Sequence, residues 1–161
     1  MYIPYKNLPN NSRVWIYQSD REFTKKEVEY ISTKAKDFIN QWTRHGDRLK
    51  GSFTIKYNHF LALAVDESFT TISGCSIDSS VRFVKELESE LNLDLMNKMS
   101  VTFKDENRIN LVKLINFQQF VKQGKVTPET IVFNNMVISK SDFESNWEIP
   151  AKDSWHKRFL V

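Results

Sequence analysis

The chain has little of what several large classes of protein require. Among its 161 residues there is one cysteine, Cys75. That excludes an internal disulfide and any zinc site built from several thiolates. The three histidines, His45, His59 and His156, show no HxH or HxxxH spacing. No metal site and no cofactor are therefore expected. No apolar run approaches the ~20 residues that span a bilayer, so membrane insertion is not expected. The opening "MYIPYKNLPNN" lacks the basic-then-apolar layout of a signal peptide. The expected location is the cytoplasm. No excess of one charge is present either. Lys and Arg number 23 against 20 Asp and Glu, a formal +3, and the two signs are interleaved. A dedicated nucleic-acid domain concentrates its basic residues on one face.

What the chain does have is apolar mass. Hydrophobic residues make up 40% and aromatic residues 13%, enough to bury a sizeable core and to argue against disorder. The length suits one domain, residues 1–161, with no repeat or linker.

The first strand is "RVWIYQS" (13–19), rich in β-branched and aromatic residues. A helix follows over 23–42. Thr24 and Glu27 have the spacing of a capping box, and Phe23 and Val28 that of a hydrophobic staple. Val28, Ile31, Ala35, Phe38, Ile39 and Trp42 keep helical spacing, and Gly46 is the expected stop. "SFTIKY" (52–57) and "FLALAVD" (60–66) read as strands about an Asn58-His59 turn. A second helix is expected over 78–93, capped by Asp78 or Ser76, with Val81, Val84, Leu87 and Leu91 as its stripe. "SVTFK" (100–104) is the next strand. The order strand, helix, strand, strand, helix, strand is the ferredoxin-like one.

The last third adds a strand (109–114) and a short helix (116–124) with an Asn116/Gln119 capping box. A hairpin about Asn134-Asn135 and a helix start at Ser141/Glu144 follow. The expected fold is one α+β domain, with a mostly antiparallel sheet and helices on one face.

These segments are similar to a family of small bacterial proteins. The resemblance runs over the whole chain and rests on "IPYKNLP", "RVWIYQSDR", "QWTRHG", "LAVDES", "SGCSIDSSV", "TIVFNN" and "PAKDSWHKRF". Members are often labelled "ABC transporter ATPase", a label that carries no mechanism and no site residue. The residues argue against ATP hydrolysis. A P-loop needs GxxxxGK[ST] to bring backbone amides onto phosphate. None of Gly46, Gly51, Gly74 and Gly124 begins that pattern.

Cys75, in "SGCSIDSS", is the only candidate nucleophile. A position just ahead of a helix favours a thiolate, but a nucleophile also needs a base. The competing expectation is a buried thiol packed beneath the helix start. Gly74, Cys75, Ser76, Ser79 and Ser80 form a candidate anion site, since amides and hydroxyls at a helix start can cradle an anion. Asp78 would compete for those amides. Asp66 and Glu67 are adjacent carboxylates at a strand end and should point to opposite faces. His45 is expected in the last turn of the first helix, and His59 at an exposed turn. In the tail, Trp155, His156, Lys157, Arg158 and Phe159 interleave aromatic and basic residues. They could stack on bases or anchor in a partner, or they could fold back onto the core.

The functional expectation is a non-enzymatic binding or adaptor module that takes a protein partner or a small anionic ligand. Two alternatives stay open. One is a cysteine-dependent enzyme centred on Cys75. The other is a nucleic-acid- or ribosome-associated protein that uses its tail.

Overall fold

Thr24 begins the first helix as its spacing requires. In the computed structural model, which describes residues 1–68 and 71–160, the Glu27 N–H donates to Thr24 Oγ1 at 3.1 Å. The Thr24 N–H donates to Glu27 Oε1 at 2.8 Å. Two of the helix's otherwise unpaired amides are thereby satisfied. Arg21 closes on the same carboxylate with two 2.8 Å bonds and reaches the Leu91 carbonyl at 3.1 Å.

The chain is α+β and gathers into two compact units. The first holds Met1–Met96 together with Ile138–Ser141, and the second holds Asn97–Val137 and Asp142–Val161. In the first unit the order is β1 (Arg13–Gln18), α1 (Lys25–Gln41), β2 (Thr43–Arg44), β3 (Asp47–Arg48), β4 (Lys50–Lys56), β5 (Phe60–Asp66) and α2 (Gly74–Leu91). The main sheet has the order β1-β5-β4, and both pairings are antiparallel. Trp15, Leu63 and Phe53 stand side by side in register.

Every residue of the central strand β5 is buried. Leu61 and Leu63 pack with Ile31 and Ala35 of α1 and with Phe83, Val84 and Leu87 of α2. Val65 packs with Ile39, Trp42 and Leu49. Each such side chain contributes roughly 1.5–3 kcal/mol on full burial. The helices sit on one face because their apolar stripes have nowhere else to go.

Gly51 shows how closely α1 and the sheet approach. A Cβ there would lie 3.1 Å from the Ala64 carbonyl oxygen and 3.2 Å from Ile39 Cγ2.

In the second unit the order is β6 (Ser100–Asp105), β7 (Arg108–Lys113), α3 (Leu114–Lys122), β8 (Ile131–Phe133), α4 (Lys140–Asn146, whose first two residues belong to the first unit) and β9 (Glu148–Pro150). Its sheet runs β7-β6-β8-β9, antiparallel throughout. Glu106 and Asn107 turn the β6–β7 hairpin with φ of 49° and 68°, as a tight hairpin requires. Phe117 of α3 is fully buried among Val101, Phe103, Val126, Val132 and Ala151.

Along the chain the ferredoxin-like order is present, with the small β2–β3 hairpin added. The strand that closes that order, β6, pairs with β7 and β8.

Several local expectations need correction. Gly46 does not stop α1. The helix ends at Gln41, and His45 and Gly46 turn the β2–β3 hairpin with φ of 49° and 86°. His45 is therefore not in a helical turn. Asn134 and Asn135 do not join a hairpin, because β8 pairs with β6 and β9 and with no strand directly after Asn135. Asn135 Oδ1 instead accepts the Trp147 indole N–H at 2.8 Å. Asn116 and Ser141 lie inside α3 and α4 rather than ahead of them. The second helix begins four residues earlier than its spacing suggests, with Ser73 as its cap. No helix among the described residues is long and apolar enough to cross a membrane.

Candidate functional site

Helices α1 and α2 lie antiparallel. Tyr30 hydrogen-bonds Glu90 at one end of the pair. Phe38 stacks on Phe83 in the middle, with centroids 4.6 Å apart and planes at 5°. At the other end the Trp42 indole N–H donates to the Ser76 carbonyl at 2.9 Å, and the Ser76 hydroxyl donates to the Thr43 carbonyl at 2.8 Å. From Tyr30 to Trp42 the helix advances about 18 Å.

Between these end pins runs a groove of about 530 Å³, within the range of about 300–1,000 Å³ usual for ligand sites. Its floor is aromatic and aliphatic: Phe38, Phe83, Trp42 and Leu87. One wall carries Lys34, Asp37 and Gln41, and the other Ser79, Arg82, Glu86 and Glu90. The antiparallel register sets Lys34 across from Glu86, and Asp37 across from Arg82. Asp37, Arg82 and Glu86 nonetheless make no hydrogen bond or ion pair among the described residues. Lys34 lies over the Tyr30 ring, its Nζ 5.5 Å from the centroid. The groove thus offers charges of both signs around an aromatic floor.

The residues of "SGCSIDSS" are placed differently from one another. Ser76 and Ser80 are buried. The Ser80 hydroxyl donates to the Ile77 carbonyl at 2.6 Å, and the Ser79 hydroxyl to the Cys75 carbonyl at 3.0 Å. The Ser76 amide donates to Ser73 Oγ at 3.2 Å. These hydroxyls anchor α2 to itself and to the end of α1. Gly74 is exposed.

Cys75 is also exposed, which corrects the expectation of a buried thiol. The early helix start explains it. Cys75 occupies the first turn, one residue before the inward-facing Ser76, and so projects away from the core. Among the described residues no imidazole or carboxylate hydrogen-bonds its sulfur.

Asp66 and Glu67 serve the loop that leads to α2. Asp66 Oδ1 accepts the Ser68 N–H at 2.8 Å, and Glu67 Oε1 accepts the Ile72 N–H at 3.2 Å. His59 is half-buried rather than exposed, and burial lowers its pKa. No group of three or more His, Cys, Asp and Glu side chains arranged to hold a metal occurs among the described residues.

In the second unit the tail forms 3-10 turns at Ala151–Asp153 and Trp155–Phe159. Trp155 and Phe159 pack against the Phe117 core. Lys157 and Arg158 are exposed, and the Arg158 guanidinium lies 5.4 Å from the Trp155 ring centre and 4.9 Å from that of Phe159. His156 is fully buried.

The groove escaped sequence reasoning because its walls are ordinary polar positions on two separate helices. Only the pairing of α1 with α2 brings them together. One signal was available. Ser76 and Ser80 continue the Val84–Leu87 stripe backward at helical spacing, which marks small polar residues at buried positions. Compared with protein-family models, curated proteins and solved structures, the chain matches none of them.

Proposed function

We propose that this chain is a non-enzymatic binding module and that the groove between α1 and α2 is its ligand-contact surface. The observation that carries the reading is the set of unpaired charges of both signs around an aromatic floor. With Asp37, Arg82 and Glu86 unpaired, the walls favour a partner that brings an acidic group to Arg82 and a basic group to Asp37 and Glu86. The floor supplies a flat surface between them. The proposed occupant is a protein segment bearing both signs, and the proposed setting is the cytoplasm. Membership of the bacterial family that the sequence resembles belongs to the same proposal; ATP hydrolysis does not, because the P-loop pattern is missing.

The test is affinity capture from a native extract with two variants alongside the wild type. The first reverses both groove charges, Arg82→Glu with Glu86→Arg. Both residues are exposed, so the fold should tolerate the exchange. The second, Arg158→Ala, is a control in the tail. A partner retained by the wild type and by the tail variant, but lost from the groove variant, supports the reading. Equal capture by all three places binding elsewhere and overturns it.

The exposure of Cys75 favours a second reading, a cysteine-dependent activity. It requires a base that approaches the sulfur when substrate binds. A thiolate fraction that does not rise at the helix start, relative to the unfolded chain, would remove that reading.

A further inference from the structure

His156 is a titratable group with no part in the groove. Its ring is completely buried. Nδ1 pairs with the Ser154 hydroxyl at 2.8 Å, and Ser154 is itself buried. Nε2 has no hydrogen-bond partner and no access to solvent. The ring stacks on Trp155 at 3.8 Å and 24° and tilts against Phe117 of α3 at 5.6 Å. These contacts join the Trp155–Phe159 turn to the core of the second unit.

A neutral imidazole fits this site. Nδ1–H can donate to Ser154 Oγ and leave Nε2 as a bare lone pair against apolar surface. An imidazolium does not fit. It carries N–H on both nitrogens, and the one at Nε2 finds no acceptor. An unpaired buried donor on a charged group is among the costlier defects a fold can hold. The charged group that acts on the ring is Arg158, of its own turn, and it repels a second cation. Lys157 of that turn, Lys152 and Asp153 of the preceding turn, and Lys122 of α3 are all exposed. The Trp155 face favours a cation, but burial and Arg158 outweigh it.

We infer that His156 is an acid-sensitive latch that holds the C-terminal turn Trp155–Phe159 on the core while its ring is neutral and releases it when the ring takes a proton. The released segment presents Trp155 and Phe159 beside Lys157 and Arg158. Acid thereby uncovers a surface that is both aromatic and basic.

Burial first, then Arg158, lowers the latched ring to about 4 from an ordinary 6.5. The released turn takes up a proton below 6.5 and the latched turn only below about 4, so closure is strongest above 6.5. It weakens as pH falls through that window, by about tenfold per unit and roughly 300-fold in all.

The test is native-state hydrogen exchange of residues 150–160, corrected for intrinsic rates, from pH 7 to pH 4.5, in the wild type and in His156→Gln. The opening constant of the turn should rise about tenfold per unit below pH 6.5 in the wild type and lose that slope in the variant, whatever the variant's baseline. The amides of β6 and β8 should not follow it. An NMR titration of the wild-type His156 ring keeps the test valid if the variant folds poorly. A ring that titrates at 6.5 or above, an opening constant flat with pH, or the same slope in the variant would each overturn the latch.

Discussion

Trp42 and Ser76 join the end of α1 to the start of α2 through a buried hydrogen bond of 2.9 Å, indole to carbonyl. Ser76 returns a second bond from its hydroxyl to the neighbouring Thr43 carbonyl. The relationship answers what the serines around the only cysteine are for. Ser76 is an anchor between the two helix ends, whereas the Ser79 and Ser80 hydroxyls bond within α2.

Ser76→Ala should therefore lower stability by about 1–2 kcal/mol, because the Thr43 carbonyl loses its donor. Trp42→Ala should cost more, about 3–5 kcal/mol, through lost packing as well. Ser79→Ala, whose hydroxyl only bonds its own helix, should change stability by no more than about 0.5 kcal/mol. Urea unfolding of the three variants measures this. Equal losses at positions 76 and 79 would show that the anchor is not at Ser76.

Gly51→Ala should destabilise the first unit by about 1–3 kcal/mol. The added methyl group meets a backbone carbonyl of β5 and the branched Ile39 side chain, and neither can swing aside. The same exchange at Gly74, where nothing lies within 4 Å, should leave the melting temperature unchanged or raise it. Thermal melts of the two variants read the contrast directly.

Thr24→Ala should cost about 1 kcal/mol as a lost cap. Glu27 adds a pH signature. Arg21 first, then the Thr24 amide, holds its carboxylate at about 2, below an ordinary 4.5. A depressed carboxylate stabilises the fold fully above its unfolded pKa, and that contribution disappears as pH falls from about 4.5 toward 2. Glu27→Gln should flatten the stability profile in that window and leave its slope near neutrality unchanged. Denaturation at pH 2.5, 3.5, 4.5 and 7 gives the comparison.

Cys75 should react with a thiol reagent in the native state within about tenfold of its rate in the unfolded chain, since it is open to solvent. Native protection of a hundredfold or more would mean that the first turn of α2 is covered in solution. Stopped-flow labelling at fixed pH, folded against unfolded, distinguishes the two.

Legibility in the sequence followed how local each signal was. The Thr24/Glu27 cap and the Ile31–Ala35–Ile39 stripe were readable because partners three or four residues apart are decided within one helix. The α+β class and the two hairpin partners of the first sheet followed from alternation and length. The start of α2 differs because Asp78 is a good cap by type, whereas Ser73 Oγ accepts the Ser76 amide and Ser76 is held by Trp42 and Thr43, just past the end of α1. Gly46 was misassigned for a related reason. A glycine with positive φ ends a helix or turns a hairpin equally well, and only the Thr43–Arg48 pairing decides between them. One partner of β8, β9, lies fifteen residues beyond it, past a helix, and the other, β6, lies far before it, so no turn signal indicates either. The groove needed two helices to meet, so no single segment could reveal it.

Residues 138–141 complete the first unit from far along the chain. The Val14 N–H donates to the Ile138 carbonyl at 2.9 Å, the Lys140 N–H to Ser12 at 2.8 Å and the Ser141 N–H to Asn10 at 2.9 Å. Lys140 Nζ reaches the Leu8 carbonyl at 2.8 Å. During translation, Met96 leaves the ribosome some 45 residues ahead of Ser141, a delay of roughly 2–9 s at ordinary elongation rates. Through that interval the residues of both helices and of all three strands of the main sheet have been made, but the segment that pairs with one flank of β1 has not. A nascent chain in this state exposes a ready template for pairing with another chain. The first 96 residues contain the whole groove but lack the segment that covers this flank of β1. A fragment that joins the 138–141 segment to residues 1–96 should therefore aggregate less than residues 1–96 alone.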